Sequence, residues 1–323
     1  GSKELSYYGT ATALSVARYY LAGASVGNYA LFGGGTNDKS MFTTVDAYNT
    51  SLTRSTPTAL SAGRFGLAGA SVGNYALFGG GNTGSVSKVV DAYNTSLTRS
   101  TPTALSVGRY SLAGASVGDY ALFGGGNTGS VSKVVDAYNT SLTRSTPTAL
   151  SVGRYSLAGA SVGDYALFGG GTNDESMFTT VDAYNTSLTR STPTALSVGR
   201  FGLAGASVGN YALFGGGFTD SVSGVVDAYN TSLTRSTPTA LSVGRYFLAS
   251  ASVGDYALFG GGTDDESMFT TVDAYNTSLT RSTPTALSVG RYFLASASVG
   301  DYALFGGGNT DSVSGVVDAY EFS

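Results

Sequence analysis

The chain has 323 residues, 42% of them hydrophobic and 12% charged, with 47 glycines, six prolines and a net charge of −4. That balance suits a compact, turn-rich β protein, and it lacks the basic surplus needed to bind nucleic acid or an anionic membrane surface. Cysteine and histidine are both absent, which removes disulfides, thiolate nucleophiles, imidazole acid–base chemistry and the common zinc and haem ligands, so no metal and no cofactor is expected.

In chain order, residues 1–4 read as a tail with no visible signal peptide, and Gly1-Ser2 resembles an expression scar, which leaves the presence of a natural leader open. The segment LSYYGTATALS, from Leu5, aligns with SLTRSTPTALS farther on and supplies one outer strand. ALFGGG then recurs seven times, beginning at Ala30, Ala76, Ala121, Ala166, Ala212, Ala257 and Ala303, at spacings of 46, 45, 45, 46, 45 and 46 residues. A fixed period of this size marks a solenoid, a propeller or an array of one supersecondary unit. With no linker between units, residues 5–323 are expected to form one domain. No apolar run approaches the ~20 residues of a membrane-spanning helix.

The unit Ser106–Leu150 holds four β-type runs separated by turn residues and no helical periodicity. YSLAGASV is small at Ala113, Gly114 and Ala115, which suits the strand nearest a crowded axis. After Gly118-Asp119, YALFGGG offers Tyr120, Leu122 and Phe123 to the space between units, and its glycines permit a sharp exit. KVVDAY is the third strand, ended by Asn139. The fourth, TRSTPTAL, contains Pro147, which cannot donate to a ladder and so belongs on an edge. All six prolines, Pro57, Pro102, Pro147, Pro193, Pro238 and Pro284, fall at this point of the repeat.

The last unit stops at VVDAYEFS after three strands, and the N-terminal segment brings one more. The expected fold is therefore all-β: a seven-bladed β-propeller with four antiparallel strands per blade, closed 3+1 by the N-terminal outer strand. An open solenoid would instead carry polar capping repeats at both ends.

The multi-glycine ending the second strand, the aromatic after a hydrophobic pair in VVDAY, and the GR-aromatic step into the next blade resemble the kelch repeat. The resemblance covers residues 5–323 and implies a kelch-type propeller; the repeat wording is also similar to highly repetitive kelch-like proteins of gut Firmicutes and their phages. One departure is plain: kelch repeats carry a tryptophan a few residues after that tyrosine, whereas this chain has none and places Arg54, Arg99, Arg144, Arg190, Arg235 and Arg281 there. Blade packing is expected to differ accordingly. Kelch relatives include cytoskeletal binders, ubiquitin-ligase adaptors and copper oxidases, so the resemblance leaves function open. The copper ligands of the last group are missing.

Residues 79–126 and 124–171 are identical, so the remaining differences between blades are informative. They concentrate at two sites. One is the segment after GGG, such as TNDKSMFTT at Thr36–Thr44 or FTDSVSG at Phe218–Gly224; the other is the residue after GR[YF]: Tyr20, Gly66, Ser111, Ser156, Gly202, Phe247 and Phe293. In a four-stranded meander the turns alternate between ends, which places both sites on one face of the disc. The candidate binding residues there are Tyr20, Phe42, Phe178, Phe218, Phe247, Phe269, Phe293, Asp174, Asp264 and Asp311. Such variation reads either as recognition or as neutral drift at exposed turns. Met41/Phe42, Met177/Phe178 and Met268/Phe269 read either as apolar anchors for a partner or as caps on blade cores.

One aspartate (Asp46, Asp91, Asp136, Asp182, Asp227, Asp273, Asp318) and one arginine (Arg18, Arg64, Arg109, Arg154, Arg200, Arg245, Arg291) recur in every blade. They read as a ring of arginines at the opening, able to hold an anion, or as a structural pair. Loop carboxylates such as Asp174, Glu175 and Asp265 lack EF-hand spacing. No serine elbow, P-loop or distinctive carboxylate pair breaks the symmetry, so no enzyme is expected. NTS at Asn49 and its five copies fits glycosylation but is explained by turn chemistry. The expected function is a non-enzymatic binding module that recognises a glycan or protein through the variable face, extracellular, cell-surface or virion-associated, and monomeric. A structural repeat scaffold without a ligand, natural or engineered, is the alternative.

Overall fold

The computed structural model describes residues 1–323 and consists of strands, turns and connecting segments, with no helix. Accordingly, no helix is long and apolar enough to cross a membrane. Seven antiparallel four-stranded sheets follow one another in sequence, six with their strands in consecutive order from the inside outward and the seventh with Leu5–Thr10 as its outermost strand. The innermost strand Ala22–Val26 touches both Ala68–Val72 and Ala295–Val299, which closes the ring. The molecule is a seven-bladed β-propeller.

The third blade shows how the sequence builds each sheet. Ala113–Val117 pairs with Tyr120–Gly124 through the two-residue turn Gly118-Asp119, where Gly118 has φ +52°. Tyr120–Gly124 pairs with Val135–Asn139. The Asn139 side chain then accepts the N–H groups of Ser141 and Thr143, so the NTS segment is a side-chain-capped turn.

The outer strand is shorter than TRSTPTAL suggests. Only Arg144-Ser145 joins the ladder, and the chain leaves the sheet before Pro147. Proline has no N–H to offer, and the carbonyls of Thr148 and Ala149 are taken by the next blade, from the Tyr184 hydroxyl and Arg190 Nη1, both at 2.7 Å. Arg190 is one of the six arginines that recur on the short outer strand. Its guanidinium ties the inter-blade connection to the sheet.

Hydrophobic cores lie between blades rather than within them. Ala113, Ala115, Leu122, Val135 and Ala137 of one blade pack against Leu150, Leu157, Phe168 and Tyr184 at the next. Alternation along each strand sends Leu122 to one neighbour and Phe123 to the other. Phe168 packs against Gly124 of the preceding blade, its ring 3.1 Å from where a Cβ would stand. The first glycine of GGG thus makes room for an aromatic ring, a packing role that the sharp exit alone does not require.

In the seventh blade, Leu5–Thr10 pairs antiparallel with Val317–Phe322, from Leu5↔Phe322 to Thr10↔Asp318, with a bulge between Tyr7 and Gly9. Phe322 packs into the same core as Val253 and Leu258 of the sixth blade.

Candidate functional site

The residues after GR[YF] meet around the axis. Tyr20, Gly66, Ser111, Ser156, Gly202, Phe247 and Phe293 all have φ between 52° and 67°. For the five that are not glycine this left-handed conformation costs about 1–2 kcal/mol each. The offset is visible: each N–H donates to the carbonyl of its counterpart in the preceding blade, from Tyr20 to Phe293 at 2.9 Å around to Phe293 to Phe247 at 3.0 Å. Seven backbone hydrogen bonds close on themselves. Since the ring consumes its own N–H and C=O groups, any ligand arriving there meets side chains.

Those side chains divide the mouth into two halves. Phe247 and Phe293 stack at 4.1 Å between ring centroids, and Phe293 stacks on Tyr20 at 4.3 Å. At either end of this stack a ring leans over a neighbouring glycine. A Cβ on Gly66 would meet the Tyr20 ring at 3.4 Å, and one on Gly202 would meet the Phe247 ring at 3.1 Å. Ser111 and Ser156 complete the other half, and the Tyr20 hydroxyl and Ser111 Oγ share a hydrogen bond across the opening. Burial pushes the Tyr20 hydroxyl up to about 12, so it is a neutral donor and acceptor at physiological pH. Beneath the mouth sits a ring of leucines that includes Leu21, Leu112 and Leu203, and the pocket has a volume of about 170 Å³.

The segments after GGG form an outer tier on the same face. Thr36 pairs with both Tyr19 and Met41, and the equivalent bridges recur in every blade, so the two variable sites adjoin. Phe218 packs on Phe201 at 5.6 Å and on Tyr246 at 5.3 Å, which extends the axial stack outward as an aromatic arc. Phe42, Phe178 and Phe269 are half-buried in their loops, and each donates its N–H to the third glycine of the GGG before it, at 2.8–2.9 Å. They stand outside the axial pocket. Met41 is the exposed member of its pair, at 40%.

Asp174 is exposed and accepts the Tyr155 hydroxyl, while Asp264 caps its own loop by accepting N–H groups from Glu266 and Ser267. Asp311 is exposed at a loop tip. These carboxylates therefore belong to the outer tier, and no three acidic groups gather as a metal site. The constant aromatics Tyr19, Phe201, Tyr246 and Tyr292 also belong to this face, although their sameness in the repeat hides them. Their signal is that the position is never filled by anything but tyrosine or phenylalanine.

The arginines do not form a ring open to an anion. Arg18, Arg64, Arg109, Arg154, Arg200, Arg245 and Arg291 are fully buried, and each forms an ion pair with the aspartate of its own blade at 2.6–2.9 Å. Arg154 shows why. Its Nε donates to Gly170 at 2.7 Å and Nη2 to Phe168 at 2.9 Å, so the guanidinium satisfies carbonyls at the end of the second strand as well as Asp182. With all seven side chains fully buried, none is exposed to the channel.

Below the leucines the channel is lined by glycine, alanine and serine. There Ser25, Ser71, Ser116, Ser161, Ser207, Ser252 and Ser298 form a second closed ring, each hydroxyl donating to the preceding serine's carbonyl at 2.6–2.7 Å.

The chain matches no protein-family model and no curated protein. Among solved structures it is similar to YjhT, with a TM-score of 0.66 at 14% identity, over 85% of this chain and 99% of that one. Likeness at that identity extends to the propeller fold and no further.

Proposed function

We propose that this propeller is a non-enzymatic recognition module of kelch type, which binds a glycan or protein through its variable face. The observation that carries the reading is the convergence of all seven variable residues after GR[YF] on one axial mouth, where three of them form an aromatic stack. Variation held on a rigid, hydrogen-bonded ring is how a scaffold alters what it contacts while keeping its fold. The mouth offers hydroxyls and apolar ring edges and no carboxylate or imidazole, which suits binding over acid–base chemistry. The GGG, VVDAY and GR-aromatic steps support the kelch assignment, and the similarity of the repeats to those of gut Firmicutes and their phages favours a bacterial surface or a virion as its place.

The scaffold alternative draws on the identity of residues 79–126 and 124–171. Labelled protein applied to a glycan array and to whole gut bacteria separates the two readings, with Phe178→Ser/Phe247→Ser/Phe293→Ser as control. Saturable binding that the triple variant loses, at a nearly unchanged melting temperature, supports recognition. Absence of binding to either target leaves the scaffold, and a collapse in melting temperature assigns these rings to the core.

A further inference from the structure

We infer that the axial pocket takes one pyranose ring at the end of a neutral glycan. This deepens the reading of the variable face and rests on it. Size is the first constraint: a volume of about 170 Å³ holds a single six-membered ring, since a cavity of about 150 Å³ accepts benzene. A longer saccharide therefore has to leave through the mouth.

Charge is the second. No acidic or basic side chain lines the pocket, so an anionic sugar, a phosphate or an ammonium group would be desolvated without a counter-charge. The third constraint is the two-sided lining. Phe247, Phe293 and Tyr20, whose faces are taken by one another and by Gly66 and Gly202, present ring edges above a floor of leucines, while Ser156 presents its hydroxyl beside Ser111, whose hydroxyl is shared with Tyr20. An aromatic or aliphatic side chain of a protein would satisfy the leucine floor and cover the Ser156 hydroxyl without giving it a partner, an unfavourable exchange. A pyranose has a C–H face for the leucine floor and a hydroxyl edge for Ser156 and the Tyr20–Ser111 pair, so it meets both kinds of surface. A mostly apolar pocket with a few placed polar groups is the general form of a small-ligand site.

The test is saturation-transfer NMR on the whole chain with methyl glucoside, galactoside, mannoside and N-acetylglucosaminide, and with methyl glucuronide as the charged comparison. Transfer to the ring protons of a neutral pyranoside, and none to the glucuronide, is expected. Ser111→Leu/Ser156→Leu fills the pocket and should weaken binding at least tenfold. Leucine already occupies this left-handed backbone at Leu52. Should that variant misfold, Ser111→Ala/Ser156→Ala keeps the space, removes the hydroxyls and should weaken binding about tenfold. Silence from every neutral pyranoside, or undiminished binding by the serine variants, overturns the inference. If array or cell binding persists in the serine variants and is lost in Phe178→Ser, the pocket assignment falls and the face remains the binding surface. If the wild-type protein binds nothing on the array or on cells, both fall together.

Discussion

Tyr7 donates its hydroxyl to Asp318 Oδ1 at 2.6 Å, across 311 residues of chain. Asp318 is the seventh blade's copy of the buried aspartate, which in the other six blades faces an outer arginine at 3.8–3.9 Å, as Asp46 faces Arg54. The seventh blade has no such arginine, and the tyrosine of the N-terminal strand stands in its place. Tyr7→Phe should therefore lower unfolding stability by about 1.5–3 kcal/mol, the range for a hydrogen bond to a charged group. A denaturant midpoint and amide exchange along Leu5–Thr10 are the measurements. If both stay at wild-type values, strand pairing alone holds the closure.

Alkaline pH should weaken the same contact. Burial, with the hydrogen bond to Asp318 and its charge, pushes the Tyr7 hydroxyl up to about 12 from an ordinary value near 10. A group that holds its proton more tightly when folded contributes fully below the unfolded value and loses that contribution as pH rises through the folded one. Unfolding free energy should fall between pH 10 and 12, and less steeply in Tyr7→Phe. Tyr48 and its copies, raised by burial and the neighbouring aspartate, add to the fall. Equal slopes for the two proteins would remove Tyr7 from the account.

Breaking one buried ion pair should cost more than replacing it. Arg154→Met leaves Asp182 charged and buried, with the carbonyls of Gly170 and Phe168 stripped of their donors, and a loss of about 3–5 kcal/mol is expected. Adding Asp182→Leu removes the stranded charge and should recover part of that loss. A double-mutant cycle by chemical denaturation measures the coupling. Additive losses would show that the two side chains act independently.

Gly125 has φ +71°, and a Cβ there would stand 2.6 Å from the Arg154 carbonyl of the next blade. Gly125→Ala combines backbone strain with that clash and should lose upward of about 2 kcal/mol. Gly129, also at positive φ but with nothing near its Cβ position, separates the two terms, because Gly129→Ala carries strain alone. Thermal unfolding of the two variants should differ by several degrees.

The repeat made much of this legible before any coordinates. Period and small inner strand define the blade because each has a direct steric cause that recurs in every copy, whereas Pro147 marks where the chain has already left the outer strand, not a place within it. Meander parity put Tyr20 and Phe218 on one face, where they lie. Equal numbers of Arg154-type and Asp182-type residues could not separate an exposed ring from a buried pair, since a count carries no information on depth. The left-handed ring was hidden for another reason. Positive φ at glycine is written in the residue, whereas at Tyr20, Ser111 and Phe247 it is imposed by neighbours that exist only once seven blades have closed. The serine ring was equally silent, because Ser116 reads locally as one more small side chain beside the axis.

The pairing of Leu5 with Phe322 has a mechanical consequence. Both chain ends leave the closing sheet at the same edge, so a pull on the termini loads the hydrogen bonds one after another, from Leu5↔Phe322 toward Thr10↔Asp318. A ladder loaded in this way peels, and each rung fails alone. Once it has peeled, the next resistance is the seam between the first and last blades, where Ala11 and Leu14 donate to Val317 and Gly315, Phe32 packs with Ala295 and Leu304, and Tyr20 stacks on Phe293 at the axial mouth. A molecule wedged against that stack would act as a rivet across the seam, and the force needed to open the disc would report its presence.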